Sequence, residues 1–390
     1  MRIIHTSDWH LGRSLHGVDL LEHQAAYLDH LVDLTEDVRP VAVLVAGDVY
    51  DRAIPPLEAV ALLSDTLTRL AALTHVVVTP GNHDSATRLG FGANVMRETV
   101  HIRSAPDRIG EPVLIESPDG TVAVYAIPYL DVDDARVRLA DDPDEPLARS
   151  HEAVTTAALA RIASDIKARR SKDPGVTAVA MAHLFAVGGL PSDSERDIRV
   201  GGVDGVPAGV FVDTSLDYVA LGHLHGPQRI TVPDADRPLV RYSGSPLAYS
   251  YSEKNHRKST AVIDLNTLET ELVEAPVPRR LTELRGSLES LLADTEHTQD
   301  WVHVTVVEDS RPPSLMAKIK DHFPHALHVS YEHAAAGAAV DRSFAVTPAH
   351  QPFEVAVRFV EHVTGIAPAE PEEAVLRETV EAVFAAQRSA

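Results

Sequence analysis

Short apolar runs in this chain repeatedly end in a polar cluster, and that pattern constrains the fold more than any other feature. Val41–Ala46 is continuously apolar, and Gly47-Asp48 follows at once. Val76–Thr79 runs into Pro80 and then Gly81-Asn82-His83-Asp84. Val176–His183 ends on a histidine, Tyr218–Gly222 leads into His223-Leu224-His225, and Arg2–Thr6 precedes Asp8-Trp9-His10. Apolar runs without alternation predict strands covered on both faces. Between them, Leu21–Val38, Pro56–Leu73 and Ala153–Arg170 predict helices, the second opened by prolines. Strands alternating with helices predict an α/β domain, in which ligands collect at the carboxyl ends of the strands.

The remaining pattern drifts toward β structure. Val113–Glu116 and Thr121–Ile127 flank a Pro-Asp-Gly turn and read as a hairpin, with further strands at Leu239–Ser243 and Ala261–Leu265. Ser85–Met96 reads as a helix. Ala275-Pro-Val-Pro278 is a linker, because prolines resist both helix and central strand. Beyond it, strand Trp301–Val307, helix Leu315–His322 and strand Ala326–Ser330 form a small α/β module. Arg342–Gln351 reads as a loop, and Phe353–Val363 and Glu372–Ala386 as amphipathic helices without an evident core. The expected domains are residues 1–275, 279–340 and 350–390.

The chain has no cysteine, so disulfides, thiolate nucleophiles and cysteine-ligated metals are excluded. Any metal must be held by imidazole, carboxylate, amide or water, a set suited to manganese, iron, zinc or magnesium. The polar clusters read together as a two-metal site, which needs a bridging carboxylate and several terminal ligands for each ion. On an extended segment Asp8 and His10 face the same way and chelate together; His223 and His225 repeat that geometry. Asp48, in a tight glycine turn, suits the bridge, and Asn82 adds a neutral oxygen. His83, beside Asn82, points elsewhere on an extended loop and is a candidate for acid chemistry. Asp84 either holds the other ring nitrogen of His83 or caps the helix that follows, and both roles are compatible.

In this order, D-x-H, G-D, G-N-H-D, H and G-H-x-H resemble the signature of the calcineurin-like metallophosphoesterases. His5-Thr-Ser-Asp-Trp-His-Leu-Gly12, Ala46-Gly-Asp-Val-Tyr-Asp51, Ala182-His-Leu-Phe185 and Ser243-Gly-Ser-Pro246 are similar to the SbcD branch of that family. The resemblance implies a four-layer α-β-β-α sandwich with a small C-terminal α/β cap and a terminal helix pair. It implies two divalent ions, manganese foremost. Asp8, His10, Asp48 and His225 would hold one, and Asp48, Asn82, His183 and His223 the other. His83 would protonate the leaving oxygen or steady the scissile phosphate. The implied activity is a DNA exonuclease and endonuclease in DNA end processing and repair. The implied partners are DNA and an SbcC-type ABC ATPase, with a homodimer inside a heterotetramer. The cap would recognise DNA, and the terminal helices would grip the coiled coil of the ATPase.

Charge is the uncomfortable feature. Lys plus Arg number 35 against 57 Asp plus Glu, a net charge of −22 that argues against a nucleic-acid binder. The expected cap shares this, with five basic residues against nine acidic ones across Arg280–His333. Lys167, Arg169, Arg170 and Lys172 sit at a helix end, where cations favour the dipole. Lys254, His256, Arg257 and Lys258 follow the Gly-Ser-Pro loop, and Lys254, Arg257 and Lys258 are candidates for substrate contact. Trp9 and His5 read as packing residues, and the histidines from His297 to His333 as surface or loop residues. Leu89, Phe91 and Met96 are either core or a dimer contact. No phosphate-binding loop is present, so ATP chemistry falls to a partner. No apolar run is long enough to span a membrane, and without a signal-peptide pattern the expectation is cytoplasmic. Two other functions fit the same motifs: a phosphatase or cyclic-nucleotide phosphodiesterase, and a non-catalytic DNA-end scaffold.

Overall fold

A computed structural model describes residues 1–196, 198, 205–334, 352–364 and 367–388. The chain divides into two units, Met1–Arg280 and Leu281–Ala390.

The first unit holds two six-stranded sheets. One runs, in spatial order, Thr270–Glu274, Ser259–Asp264, Arg2–Thr6, Ala42–Ala46, His75–Thr79 and Val100–Ile102; its last four strands are parallel. The other runs Gln228–Ile230, Leu239–Tyr242, Tyr218–Gly222, Thr177–His183, Gly120–Ala126 and Val113–Ser117, with a parallel centre and an antiparallel strand at each edge. Period-two alternation sorts each strand between two cores. Ile3, Leu44, Val77, Val179, Met181 and Ala220 fill the space between the sheets. Ile4, Val43, Val45 and Val78 face the helices Leu21–Val38 and Leu57–Ala71 through Leu28, Leu31, Leu63 and Leu67. Val219 and Leu221 face the helix His151–Arg170 through Val154, Leu159 and Ile162. The expected four-layer sandwich is borne out.

Several local expectations change. The helix expected over Ser85–Met96 is one turn, Ala86–Leu89, capped by the Ser85 hydroxyl. A 3-10 turn at Ala93–Val95 follows, separated from it by Gly92 in a left-handed conformation. Leu89 is buried there, whereas Phe91 is 85% and Val95 87% exposed. Arg169 pairs with Asp165 and Arg170 with Asp217, so half of that basic cluster is spent inside the fold. Trp9 is buried and donates its indole N–H to Thr6 Oγ1 at 2.9 Å. His5 is buried between the sheets, 2.8 Å from the Tyr218 hydroxyl.

The second unit begins with a three-stranded parallel sheet, Leu281–Gly286, Trp301–Glu308 and Ala326–His333. The first of these strands was not read from the sequence. Val302, Val304 and Val306 bury one face against Leu291, Leu315, Ile319 and Phe323. His303 and His328 lie on paired strands with ring centroids 4.6 Å apart, so they are sheet residues rather than loop residues. Pro352–Thr364 and Glu370–Arg388 are helices. The Arg377 guanidinium sits 4.0 Å from the Phe353 ring centroid. Val357, Val360, Leu376 and Val380 are half-buried, while Phe359, Val363, Val375 and Val383 are exposed. The loop expected at Arg342–Gln351 and the side chain of Phe384 lie outside the described residues. Among the described residues, no helix is long and apolar enough to cross a membrane.

Candidate metal centre

The parallel strands of both sheets end at one place, and the polar segments meet there. Past their strands, the two loops of the first sheet stay paired. Asp8 N–H donates to Gly47 O, His10 N–H to Asp48 O and Leu11 N–H to Val49 O, each at 3.0 Å. From the first helix, the buried Gln24 amide donates to the Trp9 and His10 carbonyls at 3.1 and 2.7 Å and pins the same loop. The segment is not extended, contrary to the sequence reading. Asp8, His10, Asp48 and His223 have φ of 55°, 46°, 49° and 108°. Non-glycine residues rarely adopt such values and do so at a cost of about 1–3 kcal/mol each, a pattern concentrated at functional sites.

Gly222 lets the two sheets approach, and Gly81 lets two neighbouring loops of one sheet close on each other. A Cβ on Gly222 would lie 1.8 Å from the Ala46 carbonyl oxygen, and one on Gly81 would lie 2.2 Å from Asp48 Oδ1. No side chain fits at either position, so the glycines of G-H-x-H and G-N-H-D are steric requirements of the site.

Asp8, His10, Asp48, His183, His223 and His225 are all buried. Three groups of ligand atoms each lie within 4.8 Å of one another: Asp8, His10 and His225; Asp8, Asp48 and His183; and His10, Asp48 and His83. Asp48 uses Oδ1 to accept the His83 N–H at 2.8 Å. Its Oδ2 faces Nε2 of His183 at 3.4 Å, of His10 at 3.7 Å and of His83 at 3.9 Å. His183 donates from Nδ1 to Ala46 O, and its Nε2 meets Asn82 Oδ1, each at 3.0 Å. His223 packs its ring 5.4 Å from that of His183 and donates its backbone N–H to both oxygens of Asp8 at 3.1 Å. His223 thus sits at the cluster but outside the three tight groups, and Asn82 Oδ1 reaches the cluster through His183.

The electrostatics are those of a site built around cations. Burial pushes Asp8 up to about 6, against the pull of His183 and His225. Burial also opposes ionisation of Asp48, yet the imidazoles of His183, His10 and His83 outweigh it and hold its pKa well below the usual value. His183 is pushed up to about 9, because Asp48 and Asp8 outweigh its burial. His10 and His223 are held well below their usual value by burial. Nε2 of His10 and Nε2 of His225 face each other at 3.2 Å. Nitrogens this close share a proton in an N–H···N bond or, when both are deprotonated, can share one cation together with Asp8. Carboxylate, imidazole and amide donors without sulfur fit divalent metal ions.

Three expectations are corrected. Asp84 does not hold His83. Its carboxylate accepts the N–H groups of Gly81, Val49 and Tyr50 at 2.9–3.0 Å, tying two loops together, and burial with the Asp48 charge raises it to about 7. Nor does Asp84 cap a helix, a role that falls to Ser85. His83 instead bonds through Nδ1 to the Asp51 carbonyl at 2.7 Å, and its ring turns into the cluster, 4.6 Å from that of His10. Lys258 is 2% exposed and ion-paired to Glu253, so it does not face substrate. Lys254 and Arg257 are exposed. Glu253 was missed by the sequence reading. It is buried and held ionised, well below the usual carboxylate range, by the His225 hydrogen bond and the Lys258 ammonium against the cost of burial. No spacing rule marks it.

The profile of the calcineurin-like phosphoesterase family matches residues 1–227, and that of the type 5 capsule protein repressor C-terminal domain matches residues 277–364. The SbcD subunit of the nuclease SbcCD from Bacillus subtilis (strain 168) is 39% identical over 271 residues, which cover 68% of this chain and 66% of that relative. The match thus falls just short of two thirds of the relative's length. The crystal structure of TT1561 of Thermus thermophilus aligns with a TM-score of 0.40 at 14% identity, over 70% of this chain and 98% of that one.

Proposed function

Because the chain belongs to the calcineurin-like phosphoesterase family, we propose that it is a metal-dependent DNA nuclease, cutting duplex ends as an exonuclease and single strands or hairpins as an endonuclease. The observation that carries this reading is the buried meeting of Asp8, His10, Asp48, His183 and His225, whose ligand atoms lie close enough together to hold cations. Similarity to a nuclease subunit supports DNA as the substrate. Asp8, His10, Asp48 and His225 would hold one ion, and Asp48, Asn82, His183 and His223 the other. Manganese suits this set of oxygen and imidazole ligands. When bound, such a pair of ions supplies Lewis acidity to phosphoryl oxygens and lowers the pKa of water.

The chain's own groups do the rest. Asp48 lies between the two ligand sets, and the neutral Asn82 limits the negative charge that an anionic substrate must meet. With Nδ1 anchored on the Asp51 carbonyl, Nε2 of His83 is the atom that meets the phosphate. Protonated there, it steadies the non-bridging oxygens and passes its proton to the leaving oxygen. Asp84 holds the His83 loop against residues 49–50. Lys254 and Arg257 are the proposed phosphate contacts.

Residues 279–340 are the proposed DNA-recognition cap. Residues 350–390 are the proposed attachment to an SbcC-type ABC ATPase, which supplies the ATP chemistry this chain lacks. The exposed Phe91 and Val95 support a homodimer. Turnover of linear duplex DNA in manganese, with and without the ATPase, is compared with turnover of small phosphate esters. DNA should be the better substrate; a preference for small esters would make the chain a phosphatase or cyclic-nucleotide phosphodiesterase.

A further inference from the structure

Two metal-facing imidazoles in this site are oriented by different devices. His183 donates from Nδ1 to a backbone carbonyl, that of Ala46, which no substitution can delete. His225 instead rests on side chains. Its Nδ1 lies 2.6 Å from Ser194 Oγ and 3.3 Å from Glu253 Oε1, the oxygen to which Ser194 in turn donates. Glu253 Oε2 receives Lys258 Nζ, whose other protons go to the His225 carbonyl at 3.0 Å and to Ser245 Oγ at 2.9 Å. All three ammonium protons are therefore used, as a buried lysine requires. Glu195 clasps the same residue from the other side, accepting the His225 N–H at 2.8 Å.

Proton counting gives this chain a direction. A hydroxyl has one hydrogen. That of Ser194 goes to Glu253, because an ionised carboxylate only accepts. Ser194 Oγ can then only accept from His225, so the imidazole proton must sit on Nδ1. Nε2 is left with a lone pair, aimed into the ligand group it shares with Asp8 and His10.

We propose that Ser194, Glu253 and Lys258 form a positioning relay that fixes the tautomer and orientation of His225 and so sets the affinity of one metal position. The inference rests on the two-metal reading above. Lys258 and Glu253 lie just after the Gly-Ser-Pro segment, and Ser194 lies on the segment that follows the Thr177–His183 strand. The relay therefore makes one ligand depend on a half-buried loop residue, while Nδ1 of His183 is held by a backbone carbonyl.

Ser194→Ala removes the bridging hydroxyl, leaves the Glu253–Lys258 pair intact and leaves His225 Nδ1 only its longer 3.3 Å approach to Glu253 Oε1, and Ser194→Thr keeps the hydroxyl. Manganese binding to the full chain is titrated by calorimetry. The protonated nitrogen of His225 is read in the metal-free protein by long-range ¹H–¹⁵N NMR. Wild type should bind two ions and carry the His225 proton on Nδ1. Ser194→Ala should bind one ion unchanged and the other about 10–100-fold more weakly, the usual effect of losing a partner behind a ligand histidine. Its His225 signal should move toward the Nε2–H form, and Ser194→Thr should restore both readouts. Unchanged affinity and tautomer in Ser194→Ala would overturn the relay. So would loss of both ions with a lowered melting temperature, which marks a merely structural role. A wild-type chain that binds no manganese would instead remove the two-metal reading itself.

Discussion

Nε2 of His183 lies 3.4 Å from Oδ2 of Asp48, and the two residues close the carboxyl ends of different sheets. Asp8 makes a second such crossing by accepting the His223 N–H. The candidate site is therefore a property of the sandwich as a whole. Anything that separates the sheets also separates the ligands, and a Cβ on Gly222 would do so by striking the Ala46 carbonyl of the other sheet.

His83→Ala should lower DNA cleavage by roughly 10²–10⁴-fold, the range for a general acid, while manganese content stays at the wild-type level. Elemental analysis decides the point, since His83 also lies in a group with His10 and Asp48 that could ligate. Loss of an ion from the variant would make His83 a ligand.

Lys258→Ala should destabilise the fold by about 3–5 kcal/mol, because it leaves the buried Glu253 carboxylate unpaired. Urea denaturation measures the change. A loss below about 1 kcal/mol, the size of a surface pair, would contradict the buried ion pair.

Much of this candidate site was legible in the sequence because its candidate ligands come from strand ends, and apolar runs mark strand ends well. The backbone that presents them was not legible. Residue spacing suggested extended segments, whereas Asp8 and His10 sit in left-handed conformations enforced by pairing to residues 47–49. Lys258 read as part of a basic surface because charge says nothing of burial, and Glu253 carried no motif. The helix after Asp84 was overextended because Gly90 and Gly92 interrupt an otherwise helical pattern. Leu281–Gly286 escaped notice because Leu281 and Leu284 are three apart, which hides the strand period.

His5 should give the protein an acid-sensitive stability term. Burial, helped by the Arg241 guanidinium, lowers its pKa from 6.5 to about 3, and Tyr218 is its hydrogen-bond partner. The unfolded chain therefore takes up this proton first. The stability is fully present above pH 6.5 and falls by about 1.4 kcal/mol per pH unit as pH drops toward 3. Comparing urea unfolding of wild type and His5→Gln in EDTA from pH 7 to pH 4 isolates the term. The two slopes should differ by that amount, and parallel slopes would exclude it.

A chain ending at Ala349 should keep the fold of residues 1–280 and the proposed manganese-dependent cleavage of single-stranded DNA, yet lose binding to the proposed SbcC-type ATPase. The helices it lacks expose Phe359, Val363, Val375 and Val383, the kind of apolar surface that marks a partner site. Co-purification of the shortened chain with the ATPase at full affinity would move the contact elsewhere.

Whether Asp48 serves two metal ions at once is decided by manganese stoichiometry together with DNA cleavage for wild type and Asp48→Ala. Wild type should bind two ions per chain and digest linear DNA in manganese but not in calcium, whose looser coordination suits catalysis poorly. Asp48→Ala should lose affinity at both positions, and activity by more than the 10–100-fold that an outer partner costs. Robust cleavage by Asp48→Ala, or retention of two tightly bound ions, would show that Asp48 does not serve both ions.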